Sequence, residues 1–286
     1  MADPFRVGLL GHGTVGAAFA ELLDDRAGAI ESLVGRRPEI SGILTRSRGD
    51  AEEIIAASDL VVEVMGGTDP SRQFVLDALR AGKHVVTANK QLLSRHGDEL
   101  WDAARESGAQ LRFEAAVGGV VPVIRVLSES LAGAHVERVH GIVNGTTNFI
   151  LTRMAETGAS YADALAEAQQ LGFAEADPTD DVSGADAAAK MAILARLAFD
   201  TPVAFEEVRH EGIEQVTSDD LAYAASLGLS LKLIGTAERV PDGDGGEGIS
   251  VRVHPAVLYE GHPLASVNGS FNAVTIESPA ITEITI

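Results

Sequence analysis

Three side chains past the middle of the chain could do chemistry together: Asp181, Asp186 and Lys190. Residues 185–199 are strongly helix-forming and apolar, and Asp186 and Lys190 lie four apart within them, so they share one helix face. Pro178 disfavours helix through Asp177, so residues 177–184 read as a turn leading into that helix. Ser183 is expected to cap it, with Asp186 at the third helical position in a capping-box spacing. Asp181 precedes the helix and can fold back towards its positive end. Pairs of this spacing also occur as ordinary surface salt bridges, where they contribute only about 0.2–0.5 kcal/mol. The apolar surroundings argue for the other reading, because a lysine withdrawn from water needs carboxylate partners to stay charged. A lysine so held can deliver a proton to an oxygen and stabilise the negative charge that grows there, which is what reduction of a carbonyl by hydride requires.

A second constellation sits at the N-terminus. Residues 5–10 read as a short buried strand, Gly11-His12-Gly13-Thr14-Val15-Gly16 follows directly, and residues 17–23 are apolar and helix-prone. Strand, glycine turn and helix in this order are the context in which G-x-G-x-x-G binds a dinucleotide. Gly11 permits the tight turn, Gly13 lets the backbone approach a pyrophosphate, Gly16 allows close packing, and the free amides of Thr14, Val15 and Gly16 face the phosphates. An ordinary strand-to-helix turn is the plain alternative. The second strand, residues 39–45, ends in Thr45-Arg46-Ser47-Arg48 without the carboxylate that usually holds a ribose 2′-hydroxyl. Arg46 and Arg48 favour a 2′-phosphate, hence NADP(H), while the nearby Asp50 keeps NAD(H) open. Lys90 follows a fourth strand, residues 83–87, at the carboxyl edge of the sheet, where open α/β sheets bind ligands. A lysine snorkelling from a helix start is the competing reading there.

The elements that must position these residues follow from the pattern. Strands are expected at 5–10, 39–45, 59–65, 83–87 and 111–115, with a helix at 71–81, a dinucleotide-binding α/β arrangement. A β run at 136–143 precedes Asn144-Gly145-Thr146-Thr147-Asn148, which reads as a turn with an N-cap, and a helix at 149–156. Strands at 226–239, 249–259, 270–276 and 281–286, with a Gly/Asp-rich loop at 241–248, indicate a mainly antiparallel sheet in an α+β second domain. The expected division is 1–125 and 126–286.

Composition narrows the classes. Of 286 residues 45% are hydrophobic and 22% charged, as in globular proteins, and no stretch approaches the roughly 20 apolar residues of a membrane span. No signal peptide is read at the N-terminus. The absence of cysteine excludes disulfides, thiolate metal sites and a cysteine nucleophile, and is compatible with the cytoplasm. A net charge of −20 argues against nucleic acid and anionic membranes as partners. An anionic cofactor then needs local positive groups, for which Arg46, Arg48, Lys90 and the first helix N-terminus are available. His210, His254 and His262 show no metal spacing and read as surface or packing histidines.

Four segments carry a resemblance. Residues 82–90 (GKHVVTANK), 113–122 (FEAAVGGVVP), 141–151 (GIVNGTTNFIL) and 171–190 (LGFAEADPTDDVSGADAAAK) resemble, in order, the motifs of homoserine dehydrogenases. The resemblance implies a Rossmann-type domain plus an α+β substrate and dimerisation domain. The implied reaction is interconversion of L-homoserine and L-aspartate 4-semialdehyde, in threonine, methionine and isoleucine biosynthesis. It implies Lys190 at the proton-transfer position and Lys90 near the nicotinamide and reacting oxygen. Glu175, Asp181, Asp186, Asn144, Gly145 and Thr146 are implied around a small-molecule substrate. Glu114, Val117, Gly119 and Val121 correspond to a monovalent cation site, so sodium or potassium is expected. A homodimer or higher homo-oligomer is implied. Family members continue into a Gly-Pro-Gly-Ala-Gly-Gly loop and closing helix, and many carry an ACT domain. The expectation is therefore a short form or a fragment. The rivals are another reductase of the same plan and a cofactor-binding sensor without turnover. Aspartate-semialdehyde dehydrogenase is excluded by its need for a cysteine nucleophile.

Overall fold

The computed structural model describes residues 3–243 and 245–286. The chain splits into two compact units, Met1–Ala116 and Val117–Ile286. The division comes earlier than residue 125 because the fifth strand is only Leu111–Arg112, and the chain leaves the sheet through a 3-10 turn at Glu114–Ala116.

The first unit alternates strand and helix: β1 Phe5–Leu10, α1 Thr14–Val34, β2 Pro38–Leu44, α2 Ala51–Ala56, β3 Leu60–Glu63, α3 Ser71–Arg80, β4 His84–Thr87, α4 Lys90–Ser107 and β5 Leu111–Arg112. Its sheet has the order β2-β1-β3-β4-β5 and every pairing is parallel. Parallel strands are covered on both faces, which is why they read as continuous apolar runs. Val7, Leu9 and Val62 form one core cluster, with Phe19 and Leu23 of α1 packed against it. Helix α1 begins one residue after Gly13 and runs well beyond residue 23, to a left-handed Gly35.

The second unit is built on a six-stranded sheet. Helix α5 Val123–Arg125 leads into a π turn, followed by β6 Arg138–Ile142, α6 Gly145–Thr157, α7 Tyr161–Leu171, α8 Thr179–Val182 and α9 Ala185–Phe199. Then come β7 Arg209–His210, α10 Ser218–Ser226, β8 Leu229–Pro241, β9 Glu247–Tyr259, β10 Ala273–Ser278 and β11 Thr282–Thr285. The sheet order is β11-β10-β6-β8-β9-β7, antiparallel except for β7 beside β9. Helix α9 packs on β8 and β9, and its buried face explains its apolar run: Ala188, Met191, Ile193 and Leu194 are fully enclosed.

Two local expectations are corrected. Residues 145–148 are not a turn before the helix but its first turn, capped by Asn144, whose side chain accepts the Thr147 amide at 2.8 Å. Ser183 does not cap α9: the cap position is Gly184, left-handed at φ 84°, and Asp186 does not reach back to form a capping box. The reason is a chain crossing. The Ile213 amide donates to the Val182 carbonyl at 2.8 Å, and a Cβ on Gly212 would lie 1.9 Å from that same oxygen. The joint between α8 and α9 is shaped by this strand of chain passing against it.

Gly212→Ala is therefore expected to destabilise the second unit by about 1–3 kcal/mol through overpacking. In urea this lowers the unfolding midpoint with little change in slope; a midpoint equal to that of the parent chain would show that the crossing relaxes freely.

Candidate active site

In the second unit the end of β6, the start of α6, α8 and the first turn of α9 bring four predicted residues together. Asn144 is 4% exposed and Asp186 3%. The Asn144 Nδ2 group donates to Asp181 Oδ1 at 2.7 Å and to Asp186 Oδ2 at 2.8 Å, while its oxygen caps α6. Lys190 Nζ lies 2.7 Å from Asp186 Oδ2 and donates to the Val143 carbonyl at 2.7 Å. Its side chain keeps 15% exposure, so Lys190 is not fully withdrawn from the surface. A carboxylate buried as deeply as Asp186 remains an anion only with such donors around it. Of these three ionisable groups two are negative and one positive, an arrangement that can orient the lysine and still attract an ammonium group.

The other predicted substrate residues are placed differently. Gly145 is required by packing, since a Cβ there would lie 2.6 Å from the Ser270 carbonyl. The Thr146 hydroxyl donates to the Phe173 carbonyl at 2.6 Å and ties α6 to the segment after α7. Glu175 is exposed; its carbonyl accepts from Gln169 Nε2 at 3.1 Å. Asp177 is held low in pKa by the hydroxyl and amide of Thr179.

In the first unit the glycine turn has the predicted form. Gly11 is left-handed at φ 103°. A Cβ on Gly16 would stand 2.1 Å from the Gly11 carbonyl oxygen, whereas one on Gly13 would meet nothing within 4 Å. Gly16 thus closes the turn, and Gly13 leaves open space at the N-terminus of α1, which has no side-chain cap. Thr14 and Val15 begin the helix and are exposed. A cavity of about 710 Å³ is lined by Gly11, Gly13, Thr45, Arg46, Met65 and Phe74, among others. Uncapped amides, open backbone and a guanidinium along one cavity suit a phosphorylated dinucleotide. Asp50 is engaged in capping α2 through the Glu53 amide at 3.0 Å. Lys90 starts α4 directly after its cap, Asn89.

Sequence reasoning missed a buried carboxylate beside Asn89, the cap of α4. Glu63 ends β3 fully enclosed. It accepts from Thr87 Oγ1 at 2.6 Å, from the Met65 amide at 2.8 Å and from Asn89 Nδ2 at 3.4 Å. Asn89 also donates to the Gly67 carbonyl at 2.6 Å and caps α4 through the Leu92 amide at 3.1 Å. The available signal was a lone glutamate within the apolar run 60–65.

For the expected cation, no group of three or more His, Cys, Asp or Glu that could hold a metal is found among the described residues. Val117, Gly119 and Val121 could offer a cation only main-chain oxygens. Left-handed Gly118 and Gly119 turn the chain there, and the Val121 carbonyl already accepts from the Val123 amide at 2.8 Å. The three singled-out histidines engage the main chain: His262 accepts from the Leu264 amide, and His210 and His254 sit beside the carbonyls of Val208 and Pro255. No helix among the described residues is long and apolar enough to cross a membrane.

A parallel sheet with a glycine turn at its carboxyl edge, and a lysine–carboxylate cluster on a separate α+β unit, are the parts of a two-domain dinucleotide-binding oxidoreductase. Residues 11–114 match the model of the homoserine dehydrogenase NAD binding domain, and residues 122–286 match the homoserine dehydrogenase model. The chain belongs to the homoserine dehydrogenase family. It is 49% identical to the homoserine dehydrogenase of Mycobacterium bovis, over 97% of this chain and 66% of that protein. It is 43% identical to that of Bacillus subtilis, over 97% of this chain and 67% of that protein. The chain thus spans about two thirds of the length of these relatives. Among solved structures, a homoserine dehydrogenase from Thiobacillus denitrificans superposes with a TM-score of 0.90 at 41% identity, covering 99% of this chain and 68% of that one. A hyperthermophilic archaeal homoserine dehydrogenase in complex with NADPH gives 0.82 at 26% identity, covering 99% and 91%.

Asn144→Ala is expected to cost about 2–4 kcal/mol, by removing a helix cap and leaving the buried Asp186 short of a donor. Urea unfolding measures it; a loss under about 1 kcal/mol would mean that the cap alone matters.

Proposed function

We propose that the chain catalyses the NAD(P)-dependent interconversion of L-homoserine and L-aspartate 4-semialdehyde. The reading rests above all on Lys190, whose ammonium is gripped at 2.7 Å by the buried Asp186 carboxylate and by the Val143 carbonyl. A nicotinamide bound to the first unit would supply or accept the hydride. Lys190 supplies the proton to the oxygen as the aldehyde is reduced, and it or a water it holds removes the hydroxyl proton in reverse. Its positive charge also stabilises the alkoxide as it forms. Asp186 and Asn144 keep the ammonium aimed. Asp181 and Glu175 attract the substrate's own ammonium, and Gly145 and Thr146 shape the pocket around it. Lys90, at the start of α4, adds a second positive group for the reacting oxygen.

The dinucleotide is held by the amides of Gly13, Thr14, Val15 and Gly16, with Gly11 making the turn. Arg46 lines the same cavity and Asp50 is committed to a helix cap, which supports NADP(H) over NAD(H). Val117, Gly119 and Val121, with Glu114 ahead of them in the chain, are proposed to bind sodium or potassium through hard oxygen donors. The first unit is the dinucleotide-binding domain and the second the substrate and subunit-association domain of a cytoplasmic homodimer or higher homo-oligomer in threonine, methionine and isoleucine biosynthesis.

The test is direct. The chain is mixed with L-homoserine and NADP+ at mildly alkaline pH, and absorbance of the reduced cofactor is followed. Turnover is expected, and Lys190→Ala is expected to lower kcat by about 10²–10⁴-fold while NADPH binding, followed by its fluorescence, is unchanged. Cofactor binding without turnover by the parent chain would overturn the catalytic reading in favour of a sensor. Arg46→Ala is expected to raise KM for NADP+ by about tenfold and to leave that for NAD+ alone. Equal effects on both cofactors would remove the 2′-phosphate assignment.

A further inference from the structure

A second lysine of the same unit, far along the chain from the cluster, is also buried. Lys232 on β8 is 3% exposed. Among the described residues no carboxylate touches its ammonium. Instead Nζ donates to Asn148 Oδ1 at 3.1 Å, to the Val267 carbonyl at 2.7 Å and to Asn268 Oδ1 at 2.9 Å. Three N–H bonds meet three neutral oxygens, and an ammonium has no donor to spare.

The partners define what this grip does. Asn144, Asn148 and Thr152 recur every four residues, so they form one polar stripe along α6. Asn144 heads the stripe and holds the two carboxylates of the candidate site. Asn148, one turn on, donates to the carbonyls of Val267 and Phe271 at 3.0 and 3.1 Å. Thr152, two turns on, accepts the Gly269 amide at 3.1 Å. The Ser270 carbonyl sits so close to Gly145 that no side chain fits there. Residues 267–271 thus run along the first two turns of α6, and Lys232 is the group that bonds to both.

We propose that Lys232 is a positioning residue for the candidate site: its ammonium locks α6 to residues 267–271 and so fixes Asn144 against Asp181 and Asp186. The proposal rests on the homoserine dehydrogenase reading only for its effect on turnover, since the lock itself is a feature of the second unit.

The lock is sensitive to pH. Burial lowers the Lys232 pKa from 10.5 to about 8, with Glu156 on α6 acting in the opposite direction. Of the other elements around it, β9 places Ala256 opposite it, α10 lines the adjoining cavity with Leu221 and Ala225, and residues 267–271 are uncharged. That cavity, of about 200 Å³ and lined by Lys232, Thr152, Glu156, Ser230 and Asn268, gives water a place beside the amine. Above pH 8 the neutral amine has two donors for three acceptors, and one tie is lost. The sign for global stability is the reverse. Between about 8 and 10.5 the unfolded chain binds the proton that the folded chain has released, so this group makes the fold more stable as pH rises. A purely structural lysine would move activity and stability together. A positioning lysine makes local order and turnover fall while global stability holds.

Hydrogen exchange of the full chain, corrected for the intrinsic rise with pH, decides between them. In the parent chain, amides of residues 145–157 and 267–271 are expected to lose protection several-fold between pH 7 and 9, relative to residues 185–199. In Lys232→Met they are unprotected to the same degree across that range. At pH 7.5 this variant is expected to lose about tenfold in kcat/KM for homoserine, with NADPH affinity unchanged because its binding groups lie in the other unit. Should Lys232→Met fail to fold, Asn268→Ala, which removes one acceptor, is expected to give the same local loss in milder form. No pH step in the parent chain, or normal protection of 145–157 in either folded variant, overturns the proposal. An intact lock in a parent chain without turnover would instead count against the catalytic reading alone.

Discussion

Asp186 is an ionisable group placed almost out of reach of water, and most of the second unit's site can be understood as the compensation for it. A carboxylate at that depth keeps its charge only if donors replace the water it has lost. Asn144 and Lys190 are those donors, and neither acts alone. Asn144 reaches Asp186 because it also caps α6, so the helix start and the carboxylate are positioned by one side chain. Lys190 reaches it because one helical turn separates them, and its remaining bond to Val143 anchors it to the end of β6. Asp181 is drawn in through the same amide group. Four elements that are separate in the chain share one electrostatic requirement, and displacing any of them leaves a buried charge exposed to apolar surroundings.

The first unit meets a similar requirement in a different way. Glu63 is fully enclosed at the carboxyl edge of a parallel sheet, where it and Thr87 are the last paired residues of β3 and β4. Thr87, Asn89 and the Met65 amide surround it, and Asn89 then caps α4, which begins with Lys90. The glycine turn does the opposite work. It leaves main-chain amides uncapped at the N-terminus of α1 beside a cavity that Arg46 lines. In a chain with a net charge of −20, such a local concentration of positive potential is what lets an anionic ligand approach.

Lys232 belongs to the same economy of buried charge, with neutral acceptors in place of a counter-ion. It gives a role to the polar stripe Asn144, Asn148, Thr152 on a helix that also buries Phe149, Ile150, Leu151 and Met154. Each of its side chains holds something distant in sequence: the carboxylates, the lysine, or residues 267–271.

What the sequence determined by itself was whatever periodicity and fixed spacing express. The apolar runs specify parallel strands, the 11–16 glycines specify a turn with no room for side chains at Gly16, and the four-residue step from Asp186 to Lys190 specifies a pair on one helix face. Four motifs in order were enough to point to the family. The second unit's antiparallel sheet was also legible, within a few residues at each strand end. The tertiary structure alone decided the rest. Asn144 lies 37 and 42 residues from the carboxylates it binds, and no local pattern reports a meeting at that distance. Ser183 had the chemistry of a cap, yet Gly184 took the position because the chain at 211–213 crosses there. Glu63 and Lys232 look like solvated charges in the sequence, and only the completed fold shows them enclosed. Spacing reports on neighbours along the chain, whereas the desolvation of a charge depends on everything that folding brings around it.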